Sequence, residues 1–464
     1  MSFRLNLNDC KAALGTKLVG DSVTVTGVSI DSRTVRPGEL YIAIVGERFD
    51  GHEFIEAAQA AGAAAVMVHE EINCKLPQLR VANTLNALGQ LGKLWAARFA
   101  IPTIAITGSN GKTTVKEIVS SILRQQGPVL ATRGNLNNEL GVPLTLLNMR
   151  KEHDYAVVEM GANHAGEIAR LVALAEPDVC VVTNIGCAHL EGFGSVQGIA
   201  DAKSEIYAGL KSDGYGVINL DDVFAERMQA ACAHCQTRTF GYDQDADVCG
   251  VPSQELVIQS MGRTISPRFR LAGKHNAMNA MAAVAAVQCL DVRHESLVKG
   301  LEGVLPVPGR LEKKFGTLGA TVIDDSYNAN PDSVRSAIKV LAAYSGKRYL
   351  VLGDMGELGA DELTLHGSIG QFASEQGIDG LWVTGKLSAQ TQKAFADATP
   401  TTMAAKSAHF ESKELLIENL LTYLDDDVTV LVKGSRSAQM ENVVNALLAS
   451  GTQGLAKEPT GATS

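Results

Sequence analysis

The chain has 464 residues and a net charge of −10, with 45% hydrophobic residues. That length sets an expectation of two to four domains, and an acidic balance without a basic tract argues against a nucleic-acid partner. No apolar run reaches membrane-spanning length, and the N-terminal MSFRLNLNDCKAAL lacks a signal-peptide core, so a cytoplasmic protein with no membrane insertion is expected.

Residues 1–100 read as a small N-terminal α/β domain. Val23–Ile30 alternates as a strand, Leu40–Val45 is a second, and Ala64–Val68 is a third. Glu53–Ala61 reads as a helix capped by Gly62, and Thr84–Arg98 as a helix leading to the next domain. Asp31-Ser32-Arg33 at a strand end could bind an anionic or polar group or form a solvated turn.

Residues 101–308 alternate strand and helix, which implies a mostly parallel sheet covered on both faces. The apolar run before Thr107 breaks into Gly108-Ser109-Asn110-Gly111, then Lys112-Thr113-Thr114 and a helix with a Val115, Ile118, Val119, Ile122, Leu123 stripe. Strand, glycine loop, Lys-Thr and helix form a phosphate cradle: backbone amides and a helix N-terminus face an anion, the lysine adds charge and a threonine hydroxyl can reach Mg²⁺. The usual four residues between the glycines are here reduced to two. Asp154–Met160 and Val179–Ile185 are further strands, placing Glu159 and His189 at the carboxyl ends where ligands of parallel sheets sit. A carboxylate there suits Mg²⁺ beside phosphates. In the predicted helix Val196–Leu210, Lys203 lies on the apolar stripe, which pattern alone reads as a packed stem with a snorkelling ammonium. Asn276 and Asn279 share a helix face, where they could read a base edge or decorate the helix. Cys232-Ala-His-Cys235 has no second ligand pair at finger-like spacing, and the eight cysteines are read as reduced thiols.

Leu305-Pro-Val-Pro-Gly-Arg310 reads as a linker, and residues 309–450 as a Rossmann-like open sheet. Thr321–Ile323 runs into Asp325 and Asn328-Ala-Asn330-Pro331, with Pro331 opening a helix behind an Asn330 cap. Arg348–Leu352, Leu381–Thr384 and Val428–Val432 are further strands. Residues 451–464 lack periodicity and read as a disordered tail.

With these elements in place, TGSNGKTT, VVEMGANHAGEI, TNIGCAHLEGFGS, AKSEI, GKHNAMNAMAA, PGR and DDSYNANP resemble the Mur ligase family. NLNNELGVPLTLL, VLGDMGELG and KGSRSAQME look like the member that adds D-alanyl-D-alanine to UDP-N-acetylmuramoyl-tripeptide. The similarity covers nearly the whole chain in order. It implies three domains, for the UDP end of the substrate, for ATP, and for completing the ligase, with a monomer expected. It implies ATP-dependent amide formation through an acyl phosphate, in peptidoglycan precursor synthesis, with ATP and two Mg²⁺ ions. By the same resemblance Thr113, Glu159, His189 and Lys203, if carbamylated, are metal positions. Lys112, Lys203, His189, Arg310 and Asp325 are catalytic. Thr107–Thr114, Asn276 and Arg310 bind ATP. Ser29, Asp31, Ser32 and Arg33 serve the uridine nucleotide, Asn137 and Asn138 the muramyl peptide or acyl phosphate, and Asn328 and Asn330 the incoming dipeptide. The DSR region separates the chain from folylpolyglutamate synthase, and NANP from the ligase for the third residue.

Overall fold

In the computed structural model the described residues are 3–46, 48–401 and 405–449, without the side chain of Ala449, and the expected tail lies outside them. Strands and helices sort into three α/β bodies, each built on its own main sheet. The N-terminal sheet has five strands in the order Lys17–Val19, Gln78–Arg80, Ala65–Val68, Leu40–Ile42, Val28–Ser29, parallel except for the first pair. The predicted strand over 23–30 is in fact two, Thr24–Val25 and Val28–Ser29, which join different sheets. Gly27 divides them, where the backbone passes against the Glu39 side chain and accepts the Leu40 amide.

The central sheet has nine strands. Val129–Ala131, Tyr155–Glu159, Thr103–Thr107, Val179–Val182, Tyr215–Asn219, Gln236–Gly241 and Val248–Val251 are parallel, and Val257–Ser260 and Arg263–Ile265 continue as an antiparallel meander. The strand Thr103–Thr107 is wholly buried, as its β-branched run requires. The helix after it, Lys112–Leu123, packs its apolar stripe against helices Lys274–Gln288 and His294–Glu302. On the opposite face of the sheet the core is continuous with the N-terminal domain: Trp95 donates its indole N–H to the Met149 carbonyl (2.9 Å), within one apolar cluster running from Phe3 to Cys232.

The predicted strand Leu40–Val45 stops at Ile42, and two predicted elements of the central domain also end early. The third strand stops at Val182, because Asn184 and Ile185 turn aside to bond the phosphate loop and Asp222. The helix from Val196 ends at Ser204 and tightens to a 3₁₀ turn over Glu205–Gly209. There Ser204 Oγ donates back to the Asp201 carbonyl and the Glu205 carboxylate leaves to accept the Gly166 and Ala169 amides at the start of helix Glu167–Ala175.

The C-terminal sheet has six strands, ordered Glu312–Phe315, Thr321–Asp325, Val428–Lys433, Lys347–Gly353, Gly380–Thr384, Lys406–Phe410, parallel except at its first edge. Apolar clusters cover both of its faces. Helix Pro331–Ala342 starts as predicted, with Asn330 and Ser333 forming a reciprocal capping box. Among the described residues no helix is long and apolar enough to cross a membrane, no three or more His, Cys, Asp or Glu side chains gather as a metal-binding group, and Cys232 and Cys235 are free thiols.

Candidate active site

A cavity of about 830 Å³ lies between the central and C-terminal domains, at the carboxyl ends of both parallel sheets. Ser109, Asn110, Gly111, Lys112 and Thr114 form one wall, with Glu159, Asn137, Asn138, His189 and Asn276. Arg310, Asp325, Asn328 and Asn330 line the other. The chain thus brings together residues some 200 positions apart.

The phosphate loop is held in a fixed shape. Gly108 (φ 144°) packs against Thr183 and Gly111 (φ 82°) against the Asn279 side chain, so a Cβ at either would collide. Asn184 grips Asn110 from both sides, accepting its amide and donating to its carbonyl, each at 3.0 Å. Lys112 Nζ curls over the loop to donate to the Gly108 and Ser109 carbonyls (2.7 and 3.3 Å). Burial pushes the Lys112 ammonium down from its usual range, and the Glu159 charge opposes that. Thr107, Gly108 and Thr113 support the loop from behind and do not line the cavity. Thr113 Oγ1 accepts from Arg310 Nη2 (3.2 Å), whose guanidinium lies 4.3 Å from the Tyr327 ring centroid.

Glu159 is 2% exposed. Its Oε1 accepts from Asn137 Nδ2 (2.8 Å), whereas Oε2 has no hydrogen-bond partner among the described residues. A buried carboxylate oxygen left open beside a phosphate loop fits a hard cation such as Mg²⁺. His189 takes a left-handed conformation (φ 59°) and its Nδ1 pairs with the Glu357 carboxylate of the C-terminal domain. That contact holds the Glu357 carboxyl below the usual range. One imidazole nitrogen therefore sits at the domain contact, close to the carboxylate but outside hydrogen-bond alignment.

Lys203 is 1% exposed and does not line the cavity. Burial first, then the Lys112 charge, pushes its amine down to about 7, while Glu205 and Glu167 oppose the shift. The snorkelling expected from pattern is replaced by a buried amine 5.7 Å from the Phe193 ring centroid.

Across the cavity Asp325 Oδ2 accepts from Lys433 Nζ (2.6 Å) and Oδ1 from the Leu311 amide (3.2 Å). Asn276 Nδ2 donates to the Ala272 carbonyl and Oδ1 accepts from Asn279 Nδ2. Asn138 caps the turn before helix Gly141–Leu147, through the Leu140 and Gly141 amides. Asn328 Oδ1 accepts from the Ala329 amide. Ser29, Asp31, Ser32 and Arg33 lie elsewhere, at a strand end of the N-terminal sheet, and none lines this cavity. Asp31 and Arg33 pair with each other (2.7 Å), which lowers the Asp31 carboxyl to about 2.

Reasoning from sequence did not single out Asn184, His275, Asp332, Glu357 or Lys433 as site residues. Lys433 ends a buried parallel strand and Asn184 follows one, a placement that marks candidates. His275, whose imidazole burial pushes down to about 4, adjoins Asn276 in sequence. Glu357 and Asp332 carried no local signal, since their partners belong to the other domain.

The chain is 39% identical to the UDP-N-acetylmuramoyl-tripeptide–D-alanyl-D-alanine ligase of Escherichia coli (strain K12), over 97% of this chain and 99% of that one. It belongs to the Mur ligase family. Residues 24–130 match the Mur ligase family catalytic domain, 106–287 the Mur ligase middle domain and 309–436 the Mur ligase, glutamate ligase domain. Among solved Mur ligases, MurF from Acinetobacter baumannii superposes with a TM-score of 0.90 at 35% identity, over 96% of this chain and 99% of that one. MurF ligase from Thermotoga maritima, solved in complex with ADP, superposes at 0.80 with 27% identity, over 92% and 98%. The three-domain α/β architecture expected from sequence is that of this Mur ligase group.

Proposed function

We propose that the protein is the ATP-dependent ligase joining D-alanyl-D-alanine to UDP-N-acetylmuramoyl-tripeptide, in cytoplasmic peptidoglycan precursor synthesis. The products are the UDP-muramyl-pentapeptide, ADP and phosphate. The observation that carries this reading is the cavity itself: a phosphate loop on one wall and Arg310, Asp325 and Lys433 on the other, in a chain matched end to end by ligases of that name. Boundaries near residues 100 and 308, an N-terminal UDP site at Ser29–Arg33, and a monomer belong to the same proposal.

In this reading the tripeptide's terminal carboxylate attacks the γ-phosphorus of ATP, ADP leaves, and the dipeptide amine then displaces phosphate from the acyl phosphate. Phosphoryl transfer of this kind needs alignment and charge neutralisation more than covalent help. Amides of Ser109–Lys112 and the Lys112 ammonium hold the phosphates. Arg310 adds positive charge from the linker. Asn276 faces the adenine, and Asp325 holds Lys433 at the opposite wall. Asn137 orients Glu159, which with His189 would hold Mg²⁺, and Thr113 would join them once its hydroxyl is released from Arg310. When bound, that ion neutralises phosphate oxygens and fixes their orientation. Burial brings the Lys203 amine down to about 7, so its unprotonated form, the one that reacts with CO₂, is populated near neutral pH, and a carbamate there would supply a carboxylate to a second Mg²⁺. Asn137 and Asn138 would face the muramyl peptide or the acyl phosphate, and Asn328 the incoming dipeptide.

A coupled phosphate-release assay with ATP, Mg²⁺, UDP-muramyl-tripeptide and D-alanyl-D-alanine tests the reading. Turnover requiring both the muramyl peptide and the dipeptide is expected. ATP hydrolysis indifferent to them would point instead to a nucleotide switch.

A further inference from the structure

Helix Pro331–Ala342 of the C-terminal domain is docked end-on against the phosphate loop of the central domain. Its cap residue, Asn330, is held through both its amide oxygen and its amide nitrogen. Oδ1 accepts the Ser333 amide (2.9 Å), and Nδ2 donates to Asn110 Oδ1 (2.8 Å) in the middle of the glycine loop. Asn110 has no slack of its own, because Asn184 and Thr183 hold its backbone. Two residues along the helix, Asp332 Oδ2 accepts the Cys187 amide (2.8 Å) and presses on Gly186, where a Cβ would collide. Gly186 is tied in turn to the loop, its amide donating to Ser109 Oγ (2.9 Å) and its carbonyl accepting from that hydroxyl (3.0 Å).

We propose that Asn330 and Asp332 form a two-point clasp that seats the C-terminal domain on the phosphate loop, so that loop geometry and the seating of the second-substrate domain become one event. Asn330 is then a positioning residue acting through Asn110, not a ligand of the dipeptide. The physical basis is orientation: with one N–H of Nδ2 held by Asn110 and Oδ1 held by the Ser333 amide, the Asn330 amide cannot turn toward a substrate without breaking the clasp or the cap. A helix cap is also rigid, so it transmits a displacement of the loop to the domain behind it. The kinetic part of this proposal rests on the ligase reading above; the structural part does not.

Asn330→Ser separates the two roles. Serine still caps the Ser333 amide but is too short to reach Asn110. The expected result is a kcat lowered by about tenfold or more, with KM for ATP and dipeptide within about twofold, since alignment rather than binding is lost. A raised KM for D-alanyl-D-alanine at unchanged kcat would overturn the proposal in favour of direct contact. Asn110→Ala with Asn330→Ser should be no worse than the poorer single variant, because both break one bond; losses that multiply would overturn it. Amide exchange over residues 183–190, measured without substrates, should speed up in Asp332→Ala and stay protected in Asp332→Asn, which keeps an acceptor for Cys187. Unchanged exchange in Asp332→Ala refutes the clasp whatever reaction the enzyme catalyses. Faster exchange beside a wild type that turns over no muramyl peptide supports the clasp and counts against the ligase reading alone.

Discussion

Lys433 Nζ lies 2.6 Å from Asp325 Oδ2 and 2.8 Å from the Asn328 carbonyl, joining two neighbouring strand ends under the floor of the cavity. Both side chains are nearly inaccessible to solvent. Burial pushes the Asp325 carboxyl up, and Lys433 and Arg310 oppose it. Removing one partner strands the other as an unpaired buried charge. Lys433→Met is expected to cost about 3 kcal/mol in urea unfolding, and Lys433→Met with Asp325→Asn to recover part of that without recovering turnover. Wild-type stability in the single variant would show that the pair is dispensable.

Lys112→Ala removes the ammonium that now bridges the Gly108 and Ser109 carbonyls. Turnover should fall by a factor of roughly 10³ or more, as when a preorganised charge is removed from a transferring phosphoryl group. Circular dichroism should stay unchanged, since the loop is held independently by Asn184. Near-normal turnover would exclude the loop as the phosphate site.

Glu159→Gln keeps the bond from Asn137 but neutralises the open oxygen. The Mg²⁺ concentration for half-maximal activity should rise about tenfold or more, while thermal stability holds or improves because a buried charge has gone. An unchanged Mg²⁺ requirement would remove Glu159 from the metal site.

Lys203 makes stability depend on pH. Its folded-state value is about 7 against a usual 10.5, so the unfolded chain binds more protons between those limits. The cost of burying the charged amine is therefore full below pH 7 and relieved as pH rises toward 10.5. The slope is at most about 1.4 kcal/mol per pH unit. Lys203→Met should flatten that slope in denaturant melts at pH 7 to 10. Lys203→Ala should lose turnover, bicarbonate should not restore it, and a short carboxylic acid should do so in part. Full activity in the unrescued variant would dispose of the carbamate.

Much of this was written locally. A buried β-branched strand followed by glycines, Lys-Thr and an amphipathic helix specifies the strand, tight loop and helix junction seen at Thr103–Leu123, and the Asn330-Pro331 cap specifies where a helix starts. Parallel strand ends then indicated which polar residues face one edge, Glu159 and Asp325 among them. Periodicity failed where a side chain left its own element for another. The Glu205 carboxylate caps a different helix and Asn184 turns back onto the loop, so the predicted helix and strand stop short of their patterns.

The sequence by itself determined most of the elements, the strand, glycine loop and helix junction at Thr103–Leu123, and the order of three α/β bodies, because those follow from spacing and local hydrogen bonding. Tertiary structure alone decided how the site is assembled. Lys203 is buried behind the cavity, His189 is paired to Glu357, and Asn330 is fastened to Asn110, all through contacts between segments far apart in the chain. Burial, charge pairing and the occupancy of a donor depend on what lies opposite in space, and no local pattern encodes that.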